Sequence, residues 1–189
     1  MKNETGTMTT TAIFSDDKQR RYLLRKEWDS SKPKAVIIMI HPSMASIDHL
    51  DFTTLYILNN IIKLGFGGID IVNLMSTCTT KLENSELNSA LEDENIGTIL
   101  ESVKNADKVI IAWGKGGDSN RKLGLLQKSL LQHLKPHKAK LFDISDGSGR
   151  SGFHPLAPQI RFIWQLNPFV MPKLNTPQKN TEKTEIKKT

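Results

Sequence analysis

Short apolar runs alternate with helix-periodic segments between Pro33 and Phe153. This alternation indicates a parallel sheet covered by helices, because parallel strands are buried on both faces and are joined by helical crossovers. The sequence therefore predicts an α/β protein with a three-layer α/β/α arrangement and a central, mainly parallel sheet of four strands. We expect these strands at Ala35–Ile40, Ile69–Leu74, Lys108–Trp113 and Lys140–Ile144.

Three helices are predicted around this sheet. In the first, DFTTLYILNNIIKLG, Asp51 is a plausible N-cap and Gly65 a stop signal. Its inward face is expected to carry Phe52, Leu55, Leu58, Ile61 and Ile62. The other helices are expected at Asn95–Asn105 and Asn120–Leu134, and the earlier segment RYLLRKEW is expected to add an edge strand.

The chain of 189 residues has the length of about one domain, which we expect to span residues 13–171. Residues 1–12 and the basic tail 172–189 are expected to be disordered, since the tail has five lysines and almost nothing to bury. With Glu182 and Glu185, those lysines give the tail a net +3 of the total +6. The remaining charge indicates a nucleic-acid partner only weakly.

A cytoplasmic protein without a membrane partner is expected, because no apolar run reaches the roughly 18 residues of a membrane span and the N-terminus lacks a signal-peptide pattern. The single cysteine, Cys78, excludes an intramolecular disulfide and a Cys-based zinc cluster. His133 and His137 are spaced like zinc ligands, but Pro136 and the missing third ligand argue against a metal site. We expect neither a metal nor another cofactor.

Polar residues follow the ends of all four predicted strands. The first strand ends at His41-Pro42-Ser43, the second near Asn73, the third at Trp113-Gly114-Lys115, and the last leads into a glycine-rich loop that carries His154. Ligands of open parallel sheets lie outside the carboxyl ends of the strands. We therefore expect these residues to lie together at one edge of the sheet.

Each candidate also has a purely structural interpretation. A histidine before a strand-ending proline can simply be an exposed loop residue, which applies to His41. Burying Asn73 without hydrogen bonds would cost about 1–3 kcal/mol, so its amide either reads a ligand or ties down a neighbouring loop. Ser43 and His41 suggest a nucleophile and a base, but no acid in a fixed relation to them completes a triad.

Four stretches in order, KPKAVIIMIHPSMAS, GFGGIDIVNL, VIIAWG and GFHPLAP, resemble a family of uncharacterised bacterial, phage and mobile-element proteins. Its members typically have a strand ending in Asn-Pro-Ser-Thr, a Gly-Tyr-Gly-Gly turn before a Val-Asn-Leu strand, an Ala-Trp-Gly strand end and a late His-Pro-Leu. The resemblance covers residues 20 to 165. That family is in turn similar to the uracil-DNA glycosylase superfamily, which implies a uracil-DNA glycosylase-like fold and activity.

The resemblance implies a role for several residues. Asn73 matches the asparagine that pairs with the carbonyl and N–H edge of a flipped uracil. His154 matches the late-loop histidine that donates a hydrogen bond to the departing uracil anion. Leu156 falls near the apolar wedge that fills the vacated base stack. Phe52 lies where the superfamily places a ring under the base, although we favour its other interpretation as part of the apolar face of a helix.

His41 departs from the pattern, because the superfamily has Asp or Asn here and the family usually has Asn, the residue that holds or activates the attacking water. A neutral imidazole can accept a proton at about pH 7, so water activation by His41 is chemically possible. Pro42 and Ser43 belong to the same substrate-binding loop. Lys115 and Arg150 flank the strand ends and are our candidates for contacts with DNA phosphates.

The resulting hypothesis is a glycosylase-like hydrolase of DNA repair and base excision, acting on uracil in single- or double-stranded DNA. One alternative is a non-catalytic member that binds nucleic acid or a base, in the service of a mobile genetic element. The other is a hydrolase or transferase of free nucleosides or nucleotides. The sequence indicates no particular protein partner.

Overall fold

The computed structural model describes residues 1–43, 45–78, 93–115, 117 and 120–172. Within these residues, seven strands form one sheet and three α-helices pack against it. The strands are β1 Thr9–Phe14, β2 Arg21–Glu27, β3 Lys34–Met39, β4 Gly68–Asn73, β5 Lys108–Ile111, β6 Leu141–Ser145 and β7 Gln165–Pro168. The helices are α1 Phe52–Lys63, α2 Asp93–Asn105 and α3 Arg121–Leu134. Two 3-10 helices cover Lys135–Lys140 and Pro158–Ile160.

The strand order is β1-β2-β4-β3-β5-β6-β7, and the sheet is mixed. Neighbouring strands in the series β4, β3, β5 and β6 run parallel, whereas β1, β2 and β7 join the sheet antiparallel. The α/β class is therefore confirmed, but the expected number of four strands is wrong. The segment RYLLRKEW forms β2, which pairs with strands on both sides and is not an edge strand.

The predicted N-terminal boundary at residue 13 is also wrong, because residues 9–12 belong to β1. In β1, exposed residues alternate with half-buried ones, as is typical of an edge strand with one face toward solvent. Its four-residue start, Thr-Thr-Thr-Ala, has little apolar character, so the hydrophobic pattern did not reveal it. For the predicted tail, residues 173–189 lie outside the described part of the chain.

The sheet has an apolar core on each face. Successive side chains of a strand point to opposite faces, so Val36 and Ile38 of β3 pack with α2 and α3, whereas Ile37 and Met39 pack with α1. Helices thus cover both faces of the sheet. None of the helices formed by the described residues is long and apolar enough to cross a membrane.

The N-cap predicted at Asp51 is confirmed, and Asn120, the expected first residue of its helix, is instead the N-cap of α3. Asp51 Oδ1 accepts a hydrogen bond from the Thr54 N–H at 2.8 Å, and Asn120 Oδ1 accepts from the N–H groups of Lys122 and Leu123 at 3.1 and 3.2 Å. These bonds satisfy backbone donors that the first turn of a helix leaves free.

The predicted inward face of α1 is only partly correct. Leu58 and Ile61 are buried, but Phe52 is 71% exposed, and Leu55 and Ile62 are exposed as well. The buried face turns toward Asn60, whose amide nitrogen donates to the carbonyl of Arg161 at 2.8 Å. This bond lets a polar residue occupy the inner face. The interpretation of Phe52 as part of the apolar helix face is therefore wrong.

A buried ion pair joins the antiparallel extension to the parallel strands. The Asp70 carboxylate of β4 is fully buried and forms two bonds with Arg25 of β2, Nε–Oδ1 at 2.7 Å and Nη2–Oδ2 at 2.8 Å. Lys34 Nζ at the start of β3 lies 3.2 Å from the same carboxylate. The charge of Asp70 is thus shared between cations on both neighbouring strands.

Replacing Arg25 with Met should lower the free energy of unfolding by about 2–4 kcal/mol, because it leaves a buried carboxylate with one cation. The matched control is Lys32→Met, which removes an exposed ion pair with Asp29 and should cost about 0–1 kcal/mol. Urea unfolding of both variants measures the difference. Equal losses would contradict a special role for the buried pair.

Candidate functional site

The carboxyl ends of the parallel strands meet at one edge of the sheet. The registers pair Met39 with Asn73, Ile38 with Ile111, and Ile111 with Asp143, so β3, β4, β5 and β6 end side by side. We call this edge the rim. The rim consists of His41, Pro42 and Ser43 after β3, Asn73 at the end of β4, Trp113, Gly114 and Lys115 after β5, and His154 after β6.

His154 packs tightly against the end of β5. Gly114 has a positive φ of 66°, and a Cβ added there would lie only 3.2 Å from the His154 Cβ. Burial lowers the pKa of His154, the charge of His41 lowers it further, and the carboxylate of Asp51 opposes the shift. These electrostatic effects mean that the structure brings His41, Asp51 and His154 into one neighbourhood. The lowered pKa favours the neutral form of the His154 ring.

The two histidines have opposite hydrogen-bonding roles. The Leu156 N–H donates to His154 Nδ1 at 3.2 Å, so Nδ1 carries no proton and the neutral ring has its N–H at Nε2. His41 Nδ1 lies 3.3 Å from the Pro42 carbonyl oxygen. A carbonyl only accepts, so we assign the His41 proton to Nδ1, which leaves Nε2 as an acceptor. One imidazole can therefore donate a proton in a hydrogen bond, and the other can accept one.

Asn73 is a buried amide whose side chain is unsatisfied. Its exposed fraction is 1%, and neither Oδ1 nor Nδ2 has a hydrogen-bond partner among the described residues. The neighbouring contact involves only the backbone, where Asn95 Nδ2 donates to the Asn73 carbonyl at 3.0 Å. The structure therefore offers no support for the interpretation that the Asn73 amide ties down a loop. Because Val72 packs with α2 and α3, Asn73 lies on the α1 face of the sheet.

Arg21, at the start of β2, is a residue beside the rim that the sequence analysis missed. It is 1% exposed, and Nη1 donates to the carbonyls of Ser43 at 3.2 Å and Ala45 at 2.5 Å. Burial lowers the pKa of the guanidinium, while the charges of Cys78 and Asp51 oppose that shift. Arg21 therefore anchors the loop that follows His41. Its sequence context is an ordinary strand, so no local signal distinguishes it from a surface arginine.

Of the eleven buried side-chain polar atoms without a hydrogen-bond partner in the described part of the chain, six belong to the rim and to residues beside it. These six are Nε and Nη2 of Arg21, Oγ of Ser43, Oδ1 and Nδ2 of Asn73, and Oδ1 of Asn95. A buried polar group without a partner costs about 1–3 kcal/mol. Such a concentration is typical of a site that binds water or a ligand.

The loop after β3 does not contain a Ser-His-acid triad within the described residues. Ser43 is half-buried and Pro42 is buried, and Ser43 Oγ makes no bond to His41. Asp51, the carboxylate whose charge acts on His154, uses Oδ1 to cap α1. Among the described residues, no group of three or more His, Cys, Asp or Glu residues is suited to hold a metal ion.

Two exposed apolar side chains belong to the segments around the rim. Phe52 directly follows Asp51 and stacks on Tyr56, with ring centroids 6.5 Å apart and an interplanar angle of 23°. Leu156, two residues after His154, is 37% exposed. Both side chains are available to an approaching ligand.

The two basic candidates differ in their surroundings. Lys115 is exposed in the turn after β5. Arg150 is exposed too, but it forms an ion pair with Asp146 of its own loop, with Nη2 and Oδ2 2.5 Å apart. Lys115 is therefore the better candidate for a phosphate contact, since the charge of Arg150 is already partly neutralised.

The protein should lose stability on acidification through His154. The unfolded chain binds a proton at the ordinary pKa of 6.5, whereas the folded protein binds it only at lower pH, so stability falls as the pH drops from 6.5 toward the folded pKa. His154→Gln should reduce the loss of unfolding free energy between about pH 7 and about pH 5. His133→Gln, on the exposed side of α3, is the matched control. An unchanged loss in His154→Gln would contradict the depressed pKa.

Comparison with known proteins gives one family. A family model described as a protein of unknown function, DUF1643, matches residues 21–156. The match begins at Arg21, ends at Leu156 beside His154, and includes the whole rim. No curated protein and no solved structure matches the chain. Since the matched residues make up well over half of the sequence, the chain belongs to the DUF1643 family.

Proposed function

We propose that this protein is a uracil-DNA glycosylase-like enzyme that hydrolyses the N-glycosidic bond of a flipped uracil in DNA. The observation that carries the proposal is the buried, unsatisfied carboxamide of Asn73 at the rim. Uracil presents a carbonyl acceptor beside an N–H donor, which complement the N–H donor and oxygen acceptor of one amide. Cytosine presents a different pattern, which would leave these polar groups unpaired and is therefore rejected.

The fold is compatible with this proposal. Parallel strands β4, β3, β5 and β6 with helices on both faces agree with the three-layer arrangement that the resemblance to the glycosylase superfamily implies. Both amide atoms of Asn73 are enclosed, so the base reaches them only after neighbouring side chains or loops shift. The loop after β3, which Arg21 holds through two carbonyls, is the segment whose movement matters most.

His154 stabilises the leaving group. Breaking the bond between C1′ and N1 sends the electron pair into the uracil ring, where negative charge collects on the carbonyl oxygens. The neutral ring of His154 presents its Nε2–H to this anion, because Nδ1 is occupied by the Leu156 N–H. Such a donor, held in place before the reaction, contributes a few kcal/mol to the rate.

His41 acts on the attacking water. Its Nε2 lone pair accepts a proton from water while the water oxygen forms the new bond to C1′ of the deoxyribose. The uracil anion then takes up, through solvent, the proton that His41 accepted, so the products are free uracil and an abasic site in the DNA, and no reactant other than water is needed. The family that this chain resembles usually has Asn at the position of His41. An Asn side chain can only hold the water, whereas a general base such as His41 also makes it more nucleophilic.

Exposed residues around the rim position the DNA. The ring of Phe52 stacks on the base, and Leu156 fills the gap that the flipped nucleotide leaves in the duplex or strand. Lys115 binds a phosphate, and Arg150 contributes less because Asp146 neutralises it. Phosphate contacts require that the affinity for DNA falls as salt concentration rises.

Asn73→Asp should lower the release of uracil roughly 10²–10³-fold, because a carboxylate lacks the donor and repels the uracil carbonyl. Asn59→Asp is the matched control, with the same charge change on the exposed side of α1. Release is measured with a labelled uracil-containing oligonucleotide followed by alkali. Asn73→Ala, checked for folding by thermal unfolding, separates a binding defect from a folding defect. Parental rates in both Asn73 variants would exclude this pocket.

Variants of the two histidines test the chemical roles. His154→Ala should lower the single-turnover rate roughly 10²–10³-fold, the effect of deleting one preorganised donor. His41→Ala should lower it roughly 10²–10⁴-fold, and His41→Asn should recover part of the loss by holding water. A rate that rises with pH in the parent and becomes flat in His41→Asn supports the base role. A parental rate and pH profile in His41→Asn would refute it.

The same assay distinguishes the alternative functions. Base release from a uracil strand but not from deoxyuridine excludes a nucleoside hydrolase. Binding without release would identify a non-catalytic member of the family.

A further inference from the structure

We infer that a cavity beside α3 is a second binding site, which accepts one nucleotide unit of a DNA single strand next to the rim. The cavity has a volume of about 640 Å³ and lies between α3, the turn after β5 and the segment after β7. The residues that matter for binding are Trp113, Arg121, Gln127, Lys128, Leu131 and Phe169. A volume of this size is within the range of small-molecule pockets.

The cavity has aromatic walls. Trp113 and Phe169 are half-buried and pack against the core on the α2 and α3 face, as does the buried Leu131. Every base has a flat π surface that stacks on aromatic side chains without regard to sequence. Trp113 directly precedes Gly114, which contacts His154, so the cavity and the rim adjoin at the end of β5.

Gln127 supplies a polar group for orientation. The side chain is only 9% exposed, and its Nε2 has no hydrogen-bond partner in the part of the chain that the structure describes. A Cβ added at Gly117 would lie 1.8 Å from Gln127 Oε1, so the backbone of that turn already covers the amide oxygen. The buried nitrogen is the end of the amide that lacks a partner among the described residues, and it reaches a carbonyl of a bound base once the Gln127 side chain rotates toward the cavity.

Basic residues are concentrated in and after α3, beside the cavity. Residues Asn120–Phe142 contain no acidic residue and six basic ones: Arg121, Lys122, Lys128, Lys135, Lys138 and Lys140. Arg121 and Lys128 are exposed and line the cavity, two turns and about 10.5 Å apart along α3. Neither forms an ion pair with an acid among the described residues. Two cations beside an aromatic cavity match the phosphates on either side of a stacked base.

The inference rests on the proposed function in one respect, which is that the bound strand is DNA. Asn73 lies on the α1 face of the sheet and the cavity on the opposite face, so a strand that crosses the end of β5 can occupy both. Binding at the cavity needs no uracil and no catalysis. It can therefore be measured separately from base release.

The experiment uses a fluorescein-labelled oligothymidylate of about 12 nucleotides, without uracil, and follows anisotropy with the full-length protein. Arg121→Gln combined with Lys128→Gln should weaken binding about 10-fold. The matched control is Lys135→Gln combined with Lys138→Gln, which removes the same charge from exposed residues outside the cavity and should weaken binding less than about 2-fold. Equal losses in the two double variants would overturn the site, since they would indicate only diffuse attraction.

Two further variants test the interior of the cavity. Gln127→Leu should weaken binding about 5-fold without changing its salt dependence, because it removes a neutral donor. Binding should quench tryptophan fluorescence in the parent, and Trp113→Phe should abolish that quenching although Trp28 and Trp164 remain. If Gln127→Leu does not fold, the exposed double variant still decides the question. Quenching that persists in Trp113→Phe would count against the site.

Competition identifies the ligand. Thymidine monophosphate should displace the oligothymidylate at least about 100-fold less effectively than unlabelled oligothymidylate, because it lacks the flanking phosphate. Equal competition would overturn the assignment to a strand. If the parent protein releases uracil but does not bind oligothymidylate, this inference alone is refuted. If it binds oligothymidylate but does not release uracil, the proposed function alone is refuted.

Discussion

The structure depends on the enclosure of β3 on both edges and both faces. This strand pairs with β4 on one edge and β5 on the other, while α1 covers one face and α2 and α3 cover the other. Residues Ala35 to Met39 are consequently all buried. A strand enclosed in this way can present polar side chains to a ligand only where it ends. The positions of His41 and of the neighbouring strand ends follow from that constraint.

The rim differs from this core because it contains buried polar atoms that lack hydrogen-bond partners among the described residues. Arg21, Ser43, Asn73 and Asn95 bring buried polar atoms to the rim without partners among the described residues, and each such atom costs stability. Elsewhere the buried charge of Asp70 is fully matched by Arg25 and Lys34. The described part of the chain therefore satisfies the buried charge that joins its strands, whereas six of its eleven unsatisfied buried polar atoms lie at and beside the rim. This difference is the physical basis for locating function at the rim.

The end of β5 connects the two proposed binding regions. The positive φ of Gly114 lets the backbone approach His154 on one side, while Trp113 contributes to the cavity beside α3 on the other. A Cβ at position 114 would be strained by the positive φ and would lie 3.2 Å from the His154 Cβ, so a larger residue would press on His154. The two residues Trp113 and Gly114 therefore form part of the cavity and contact His154, respectively. Both proposals involve the end of β5 for this reason.

The sequence by itself determined the features that depend on local contacts. Continuous apolar runs located β3, β4, β5 and β6 to within two residues, and Asp51 marked the start of α1 because a cap bonds to its own first turn. The strand-end rule indicated His41, Asn73 and His154. Only the tertiary structure decided the rest: the Thr-rich β1, the buried Arg21 that binds Ala45, and the exposure of Phe52 on a helix whose inner face carries Asn60. These features depend on partners far away in the chain, and a linear pattern of polarity contains no record of such partners.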